Sequence, residues 1–268
     1  MMCTFAAAAL VAAMPSVAQA QYSVPGTSSG RAVGETYWVE AMGGFWNPKT
    51  AGSISSEQFG IPGSTIDFVD DLKFPDKRIT DFRLVLRPAK KHKFRLQYVP
   101  VSYSSETIFN RSITFNGVRY DVGLPVSTAF EWKVWRFGYE WDFVYREKFY
   151  VGAILEAKYT QVTAELNSPV NTEFTSAKAP IPSVGGVVRI YPIRNAAVTF
   201  ELTGFKLPNI DESYDAQYID WDLYGTFNVT NNFGVTAGYR VMDVMFLADR
   251  DGGEMKLKGL YFGGIARF

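Results

Sequence analysis

The sequence predicts an all-β chain that closes into an antiparallel, up-and-down transmembrane β-barrel, most simply of ten strands, with eight or twelve as alternatives. Three observations lead to this prediction. Apolar and polar residues alternate with period two in ten segments. The connections between these segments are alternately long and short, and the last segment has one apolar face that ends at Phe268. Aromatic residues make up 16% of the chain, which favours strands.

The N-terminal residues have the pattern of a secretory signal peptide. They carry no charge up to Ala20, are mostly apolar from Phe5 to Met14, and end in the small residues Ala18 and Ala20 of a cleavage site. The apolar stretch is shorter than the roughly 20 residues that a membrane-spanning helix needs. We therefore expect residues 1–20 to be a signal peptide, 21–34 an N-terminal periplasmic segment, and 35–268 the transmembrane barrel.

Composition excludes several classes of protein. Lys plus Arg and Asp plus Glu are each 27, so the chain lacks the basic excess that is typical of nucleic-acid binding. The only cysteine, Cys3, lies in the predicted signal peptide, so no disulfide is expected in the mature chain. After that segment there is no apolar run of about 18 residues, which argues against a helical membrane protein.

The ten alternating segments are each long enough to cross a bilayer, since a barrel strand needs only about 9 to 11 residues to do so. An even number of strands returns the chain to the side on which it began. In order, the segments are Glu35–Trp46, Arg78–Pro88, His92–Tyr103, Val126–Phe143, Lys148–Leu166, Ile181–Tyr191, Ala196–Leu207, Ala216–Val229, Phe233–Leu247 and Glu254–Phe268.

The connections predict which end of the barrel faces outwards. Long connections are expected at Asn47–Lys77, Ser104–Pro125, Asn167–Pro180, Pro208–Asp215 and Ala248–Gly253, and tight turns at Ala89–Lys91, Val144–Glu147, Pro192–Asn195 and Thr230–Asn232. Bacterial barrels have long extracellular loops and short periplasmic turns, so both chain ends are expected in the periplasm. Within the second long loop, Asn116-Gly117 predicts a hairpin that extends the barrel wall above the membrane.

The alternation also assigns two faces. The apolar face is expected to contact lipid, with Leu260, Phe262 and Phe268 as its C-terminal signature. The opposite face carries charges that we expect in the lumen, either as an ion-pair network or as the lining of a narrow channel. A ten-stranded barrel is little wider than the eight-stranded kind that side chains fill, so a largely plugged interior is expected. These charges are Glu40, Arg83, Arg87, Arg95, Arg136, Glu140, Asp142, Glu156, Lys158, Arg189, Glu201, Asp220, Asp222 and Arg240.

The signal peptide, the alternation of loops and turns, the aromatic belt and the terminal Phe268 together resemble the small outer-membrane β-barrel proteins of Gram-negative bacteria. The resemblance covers nearly the whole mature chain but identifies no subfamily. It implies a location in the bacterial outer membrane, with outer-membrane lipid, lipopolysaccharide and the barrel-assembly machinery as partners. That broad group includes anchoring barrels, adhesins, narrow channels and a few hydrolases.

We do not expect this protein to be an enzyme, and no residue is assigned a catalytic role. The only histidine, His92, lies beside a tight turn that the topology assigns to the periplasm, where a general base could not reach outer-leaflet lipid. The carboxylate pairs Glu140/Asp142 and Asp220/Asp222 each share a strand face, with about 7 Å between their Cα atoms. Ion pairing with the lumenal arginines is the simpler interpretation of both pairs.

Metal sites and cofactors are not predicted either. The segment Asp249-Arg-Asp-Gly-Gly253 resembles the start of a calcium loop, but Leu260 stands where such a loop needs a bidentate Glu. Asp67, Asp70 and Asp71 crowd the first long loop and could bind divalent cations or lipopolysaccharide head groups, although a solvated loop is the simpler interpretation.

We therefore expect a structural or interaction barrel that acts through the loops Asn47–Lys77 and Ser104–Pro125, which include a possible site for a surface ligand. A narrow channel for ions or small solutes is the first alternative, since it rests on the same lumenal charges. An outer-membrane hydrolase is the minor alternative.

Overall fold

The computed structural model describes residues 32–55, 62–123, 125–169, 172–207, 214–248 and 251–268. The predicted signal peptide lies outside these residues. Within them, no helix is both long enough and apolar enough to cross a membrane.

The described chain forms a closed, all-antiparallel β-barrel. Ten of its strands pair in chain order, and the first pairs with the last. The predicted ten-stranded, up-and-down barrel is therefore confirmed. The strands are β1 (Val39–Ser55), β2 (Ile66–Asp67), β3 (Ile79–Ala89), β4 (His92–Ile108), β5 (Ile113–Phe115), β6 (Val118–Tyr120), β7 (Pro125–Tyr145), β8 (Phe149–Asn167), β9 (Thr172–Ile193), β10 (Ala196–Lys206), β11 (Tyr214–Asn228), β12 (Phe233–Ala248) and β13 (Asp251–Arg267); β2, β5 and β6 lie outside the barrel wall.

Strands β1 and β13 close the barrel along their full lengths, from Glu40 opposite Arg267 to Ser55 opposite Gly252. Glycines lie on both strands near the middle of this ladder, where Gly44 faces Gly263. A Cβ atom at Gly263 would lie 2.8 Å from the Gly43 carbonyl oxygen. The absence of side chains here lets the two backbones approach closely enough to pair.

The two ends of the barrel differ. Short turns join β3 to β4, β7 to β8, β9 to β10 and β11 to β12 at one end, which we call the turn end. Phe268 also lies there, where its carbonyl oxygen accepts hydrogen bonds from the amides of Trp38 and Val39. The opposite end, which we call the loop end, carries the long connections 56–78 and 109–124.

Strands extend further towards the loop end than the sequence predicted. β1 runs to Ser55, and β9 already begins at Thr172. The connections after β8 (168–171) and β12 (249–250) are consequently shorter than predicted, so the long loops expected at Asn167–Pro180 and Ala248–Gly253 are wrong. The connection after β10 (207–213) nearly coincides with the predicted Pro208–Asp215. In sequence, the added segments 47–55 and 172–180 consist mostly of polar and small residues, which weakens the alternating pattern, but backbone pairing with a neighbouring strand does not depend on side-chain polarity.

The hairpin predicted at Asn116-Gly117 is confirmed by β5 and β6. Both turn residues have positive φ, 51° and 76°, as a type I′ turn requires. The hairpin forms a separate two-stranded sheet, however, and does not extend the barrel wall. Its residues Ile113 and Phe115 are fully buried in the same apolar core as Val126 of β7. Burial of these side chains accounts for the inward packing.

The outer surface has an apolar belt bounded by lysines at the loop end. The C-terminal residues Leu260, Phe262 and Phe268 belong to the belt and are 65%, 48% and 68% exposed. Alternation places a series of lysines on the same outer face, nearer the loop end, where the belt ends. They are Lys49, Lys133, Lys178, Lys206, Lys256 and Lys258.

Candidate functional site

The structure places all the charges that the sequence assigned to the lumen on the inner face of the barrel. Glu40, Arg83 and Arg95 are partly exposed to the lumen, and the others are buried. They occupy the half of the lumen nearer the turn end. We call these residues, together with Asp81 and Lys93, the charged layer.

The centre of the charged layer is a network around Arg136 and Asp220. Arg136 donates to Glu156 at 2.9 Å and to the side-chain oxygen of Gln97 at 2.7 Å, and it lies 2.9 Å from Asp220. Arg240 donates two further hydrogen bonds to Asp220, at 3.0 and 2.8 Å. Because β7 and β11 lie on opposite sides of the barrel, this network spans the lumen.

Two more arginines connect opposite walls. Arg95 on β4 lies 2.9 Å from Glu140 on β7 and also pairs with Glu201 on β10. Arg83 on β3 lies 3.0 Å from Asp222 on β11. Buried charges are stable only when they are paired and hydrogen-bonded, and these contacts provide such partners.

The list of lumenal charges drawn from the sequence missed Asp81 and Lys93. Lys93 lies 3.0 Å from Asp142 and also contacts Glu140, and Asp81 accepts a hydrogen bond from Gln97 at 2.6 Å. Each missed residue lies two positions from a residue that was assigned to the lumen, so the alternation itself contained the signal.

Residues 32–38 lie across the turn end. The Val33 amide donates to the Arg194 carbonyl at 2.7 Å, and the Asn228 side chain donates to the Val33 carbonyl at 2.6 Å. Glu35 is buried, 3.8 Å from Arg87 and 3.2 Å from Arg189. Sequence analysis expected the barrel and its first strand to begin at Glu35, which is wrong, because β1 begins at Val39 and residues 35–38 continue the N-terminal segment across the barrel mouth. The contacts of Glu35 with two arginines from distant strands hold it there, and strand alternation does not encode such contacts.

Arg267 is a second charge at the turn end that the list missed. It donates to Glu40 on the adjacent β1 and to the side-chain oxygen of Asn228. Arg267 is adjacent to Phe268, which lies on the outer face, so alternation places Arg267 on the inner face of the last strand. The ion pairs of Arg267 and those of Glu35 together close the turn end of the lumen.

The loop-end half of the lumen is different in chemistry. It holds a cavity of about 470 Å³ that reaches from the barrel interior to the loop-end limits of β1, β10, β12 and β13. This volume lies within the range of about 300–1,000 Å³ that small-molecule sites occupy. Most of its lining is apolar or aromatic, including Phe130, Trp132, Ile181, Phe205, Tyr218 and Met255.

The floor of the cavity separates it from the charged layer. The Trp132 indole N–H donates to the Thr160 hydroxyl at 2.5 Å, so the indole nitrogen has a hydrogen-bond partner inside the lumen. The Tyr218 ring lies 4.0 Å from the Lys158 ammonium, and Lys158 donates to Thr203 at 3.0 Å. The lysine therefore contacts the lower face of the floor, while the cavity contacts aromatic surface.

The first long loop fills the other side of the loop end. Phe68 packs on Phe130, with ring centroids 5.2 Å apart, and Phe74 stacks on Tyr103 at 5.3 Å. These rings fill the space between β4 and the first long loop, and Phe68 and Phe130 form one side of the cavity that remains. The two loops that were expected to project outwards as the interaction surface thus fold partly into the barrel.

The acidic cluster of this loop makes bonds within the protein. Asp67 accepts hydrogen bonds from the amides of Val69 and Asp70, both at 2.7 Å, and Asp71 pairs with Arg111 of the second loop at 2.6 Å. Among the residues that the structure describes, no group of three or more His, Cys, Asp or Glu is arranged to hold a metal ion. The calcium-like segment begins at residues 249–250, which lie outside the described ranges.

The candidate catalytic side chains form hydrogen bonds and ion pairs with other side chains of the protein. His92 lies at the turn end, and its Nδ1 is 2.6 Å from the Tyr139 hydroxyl on the outer face. The carboxylates of the two pairs named above all contact cations of the charged layer. Their geometry is that of ion pairs, and the histidine is remote from the cavity at the other end of the barrel.

One solved structure among the known proteins supports the architecture. No protein-family model and no curated protein matches the chain in sequence. Among solved structures, the outer membrane protease OmpT from Escherichia coli is similar over 86% of this chain and 96% of its own, with 10% identity and a TM-score of 0.58. Weaker similarities include the translocator domain of NalP from Neisseria meningitidis (9% identity, 87% and 89% of the two chains, TM-score 0.43) and Ail of Yersinia pestis (11% identity, 87% and 100%, TM-score 0.36). The protein has the fold of the bacterial outer-membrane β-barrels.

Proposed function

We propose that this protein is an outer-membrane barrel that is closed to ions and binds a small apolar ligand in its loop-end cavity. The observation that carries the proposal is the position of an apolar cavity directly above a layer of paired charges. The loop end faces the cell exterior in this proposal, following the rule that long loops are extracellular.

Paired charges support the closed state. The arginines Arg83, Arg95 and Arg136 each cross the lumen to a carboxylate on another wall, and residues 32–38 cover the turn end. An ion that entered from the loop end would have to separate buried pairs. Removing one partner of such a pair costs several kcal/mol, typically about 3–5.

The lining of the cavity supports an apolar ligand. Phe205, Tyr218 and Met255 present hydrocarbon and aromatic surface without a charge at the floor. Transfer of apolar surface from water into such a site contributes about 25 cal/mol per Å². A saturated hydrocarbon chain or a small aromatic molecule matches this chemistry, whereas a sugar or peptide would lose its hydrogen bonds to water.

Binding can be measured with the refolded protein and a fatty acid in detergent micelles below saturation. Ala179 lines the cavity, so Ala179→Phe should fill part of it and weaken binding at least tenfold. Ala153 lies on the outer face of β8, so Ala153→Phe is a matched control that should bind as the wild type does. Equal binding by all three proteins, or none by the wild type, would contradict the proposal.

An interaction role for the loops is compatible with this proposal, since they form one wall of the loop end. Lipopolysaccharide contact through the outer lysines and recognition of β13 by the barrel-assembly machinery are part of the same proposal. Deleting the exposed part of either loop without any effect on surface binding or envelope integrity would argue against the loop contribution.

A narrow channel is the alternative that the lumenal charges favour, since rings of charge select ions. Reversing Arg136 or Glu140 would then change ion selectivity. A hydrolase has less support, because the only histidine lies at the turn end. Lipid or peptide cleavage by the purified barrel would count in its favour.

A further inference from the structure

Two lysines face each other across the strands that close the barrel. Lys49 on β1 and Lys258 on β13 are directly opposite in the register of the ladder, and both are exposed on the outer face. Directly opposed residues have their Cβ atoms about 4.5–5.5 Å apart, and like charges in this arrangement destabilise the pairing of two strands. The closing ladder therefore contains a repulsive pair near its loop end.

A neighbouring lysine has the partner that this pair lacks. Lys256, also on the outer face of β13, lies 2.7 Å from Asp243, its opposite residue on β12. Lys258 instead lies opposite Val241 on β12, which offers no charge. Within the described residues, neither Lys49 nor Lys258 forms an ion pair. The charges of the two opposed lysines are therefore not compensated by the protein.

Arg78 adds a third cation on the other side of β1. Its Nε donates to the side-chain oxygen of Asn47 at 3.2 Å, and its Cζ lies 5.5 Å from the centre of the Phe45 ring. A neutral amide and an aromatic ring thus position the guanidinium without neutralising it. Arg78 forms no ion pair in the part of the chain that the structure describes. We call Lys49, Lys258 and Arg78 the cation cluster.

The cation cluster lies at the loop-end boundary of the apolar belt. On the outer face of β13, Leu260 and Phe262 follow Lys258 towards the turn end and are 65% and 48% exposed. The Phe262 ring lies 6.1 Å from the Phe45 ring of β1. A lipid whose acyl chains lie on this surface has its phosphate at the height where cationic side chains meet the head groups.

We propose that the cation cluster binds the phosphate group of an outer-leaflet lipid whose acyl chains lie on the adjacent belt. A phosphate monoester carries a charge of about −1.5 to −2 and accepts charge-assisted hydrogen bonds, so it can bridge both ammonium groups. The lipid then replaces a repulsion in the closing ladder by two attractive contacts. This inference deepens the lipopolysaccharide contact of the proposed function and rests on its orientation of the loop end, but it does not depend on the cavity.

Lipid binding can be measured by native mass spectrometry of the refolded barrel in neutral maltoside micelles, to which phosphatidic acid or phosphatidylcholine is added. The wild type should bind its first phosphatidic acid at least tenfold more tightly than phosphatidylcholine. Lys49→Gln with Lys258→Gln should weaken binding of phosphatidic acid at least fivefold and leave binding of phosphatidylcholine unchanged. A wild type without a preference for phosphatidic acid would overturn the proposal.

The matched control is Lys133→Gln with Lys178→Gln. It removes the same charge from the outer faces of β7 and β9, away from the closing ladder, and should bind phosphatidic acid as the wild type does. An equal loss in both double variants would mean that overall surface charge attracts the lipid, which would overturn a site at the cation cluster. Displacement of the lipid by an equimolar amount of inorganic phosphate would overturn its assignment to a lipid.

Charge reversal separates lipid binding from folding. Lys258→Glu replaces the repulsive pair by an opposite-charge pair with Lys49, so the urea midpoint in maltoside alone should rise. The same variant should lose the preference for phosphatidic acid, so stability and lipid binding change in opposite directions. A midpoint below that of the wild type would contradict the repulsion on which the proposal depends.

The cavity proposal is tested separately on the same proteins. Ala179→Phe should keep the preference for phosphatidic acid, and Lys49→Gln with Lys258→Gln should bind fatty acid as the wild type does. A wild type that binds fatty acid but does not prefer phosphatidic acid would overturn the cation cluster alone. Loss of the preference in Ala179→Phe would place the lipid in the cavity and would also overturn the cation cluster.

Discussion

Arg240 does not pair with the residue directly across the ladder. Its cross-strand partner in register is Asp222, but its guanidinium donates two hydrogen bonds to Asp220, two positions nearer the loop end. Asp222 instead contacts Arg83 at 3.0 Å and accepts a hydrogen bond from the Tyr261 hydroxyl at 3.0 Å. Because Arg240 binds Asp220, Asp222 is available to Arg83, while Asp220 also binds Arg136. These contacts connect β3, β7, β11 and β12 in one network.

Asp220→Asn should destabilise the barrel strongly. The substitution removes the charge that Arg136 and Arg240 share, which leaves Arg240 without its main partner and Arg136 with Glu156 as its remaining carboxylate. Loss of one member of a buried pair costs about 3–5 kcal/mol. The free energy of unfolding in urea, followed by the heat-dependent shift in electrophoretic mobility of the folded barrel, measures the effect.

The matched control is Asp243→Asn, which removes a carboxylate 2.7 Å from Lys256 on the outer surface. Both side chains of that pair are substantially exposed, so the change should cost no more than about 1 kcal/mol. Similar losses in the two variants would show that the central network does not hold the barrel together.

Gly238→Ala should also destabilise the fold. A Cβ atom there would lie 2.5 Å from the Tyr224 Cβ and 2.8 Å from a ring carbon of Tyr261, so the inner aromatic packing must shift. Overpacking of this kind costs about 1–3 kcal/mol. Gly264→Ala on the outer face, where a Cβ would meet nothing within 4 Å, should leave the urea midpoint nearly unchanged. A harmless Gly238→Ala would mean that this part of the lumen is looser than the structure indicates.

The wild-type barrel should be silent in single-channel recordings. A sample whose folding has been verified by heat modifiability, inserted into a planar bilayer, should give no stepwise current, because paired charges and residues 32–38 close the lumen. Stepwise, ohmic currents whose selectivity changes in Arg136→Glu would favour the channel alternative instead.

Acid should loosen the contact between the two long loops. Burial raises the pKa of the Asp71 carboxyl, but hydrogen bonds from the Arg111 side chain and the Asp67 amide lower this pKa by a larger amount. The pKa of Asp71 in the folded protein therefore lies below the usual value. A depressed pKa means that the contact stabilises the loops above the ordinary Asp pKa of about 3.9 and is lost as the pH falls through the lower folded value. Amide exchange of residues 62–78, corrected for intrinsic rates, measures this loss.

At pH 6, Asp71→Asn should exchange faster than the wild type in this loop, by up to about fivefold for a pair worth about 1 kcal/mol or less. The two proteins should converge once the pH has fallen below the lowered pKa of Asp71. Asp121→Asn, which removes the partner of the exposed Arg119, is the control and should match the wild type at both pH values. A difference between wild type and Asp71→Asn that persisted in acid would contradict the role of the Asp71 charge.

Much of the barrel wall was predictable from the sequence. Alternation assigned Leu260 and Phe262 to the outer face and Arg240 to the inner face, because side chains of a strand point to opposite sides in turn. Paired turns such as Asn116-Gly117 were predictable too, since type I′ geometry selects those residues. The positions at which strands end at the loop end were not predictable, because the polar segments of β1 and β9 pair through their backbones and leave no apolar pattern in the sequence.

The sequence by itself determined a ten-stranded, two-faced barrel with balanced charge on its inner face, because period-two alternation and turn chemistry act over a few residues. Tertiary structure alone decided which charges pair, as Arg240 with Asp220 shows, and where Glu35 lies. It also decided that the described parts of the two long loops pack inwards and that an apolar cavity remains in the loop-end half of the lumen. These features depend on contacts between residues far apart in the chain, whose distances are set only when the barrel closes.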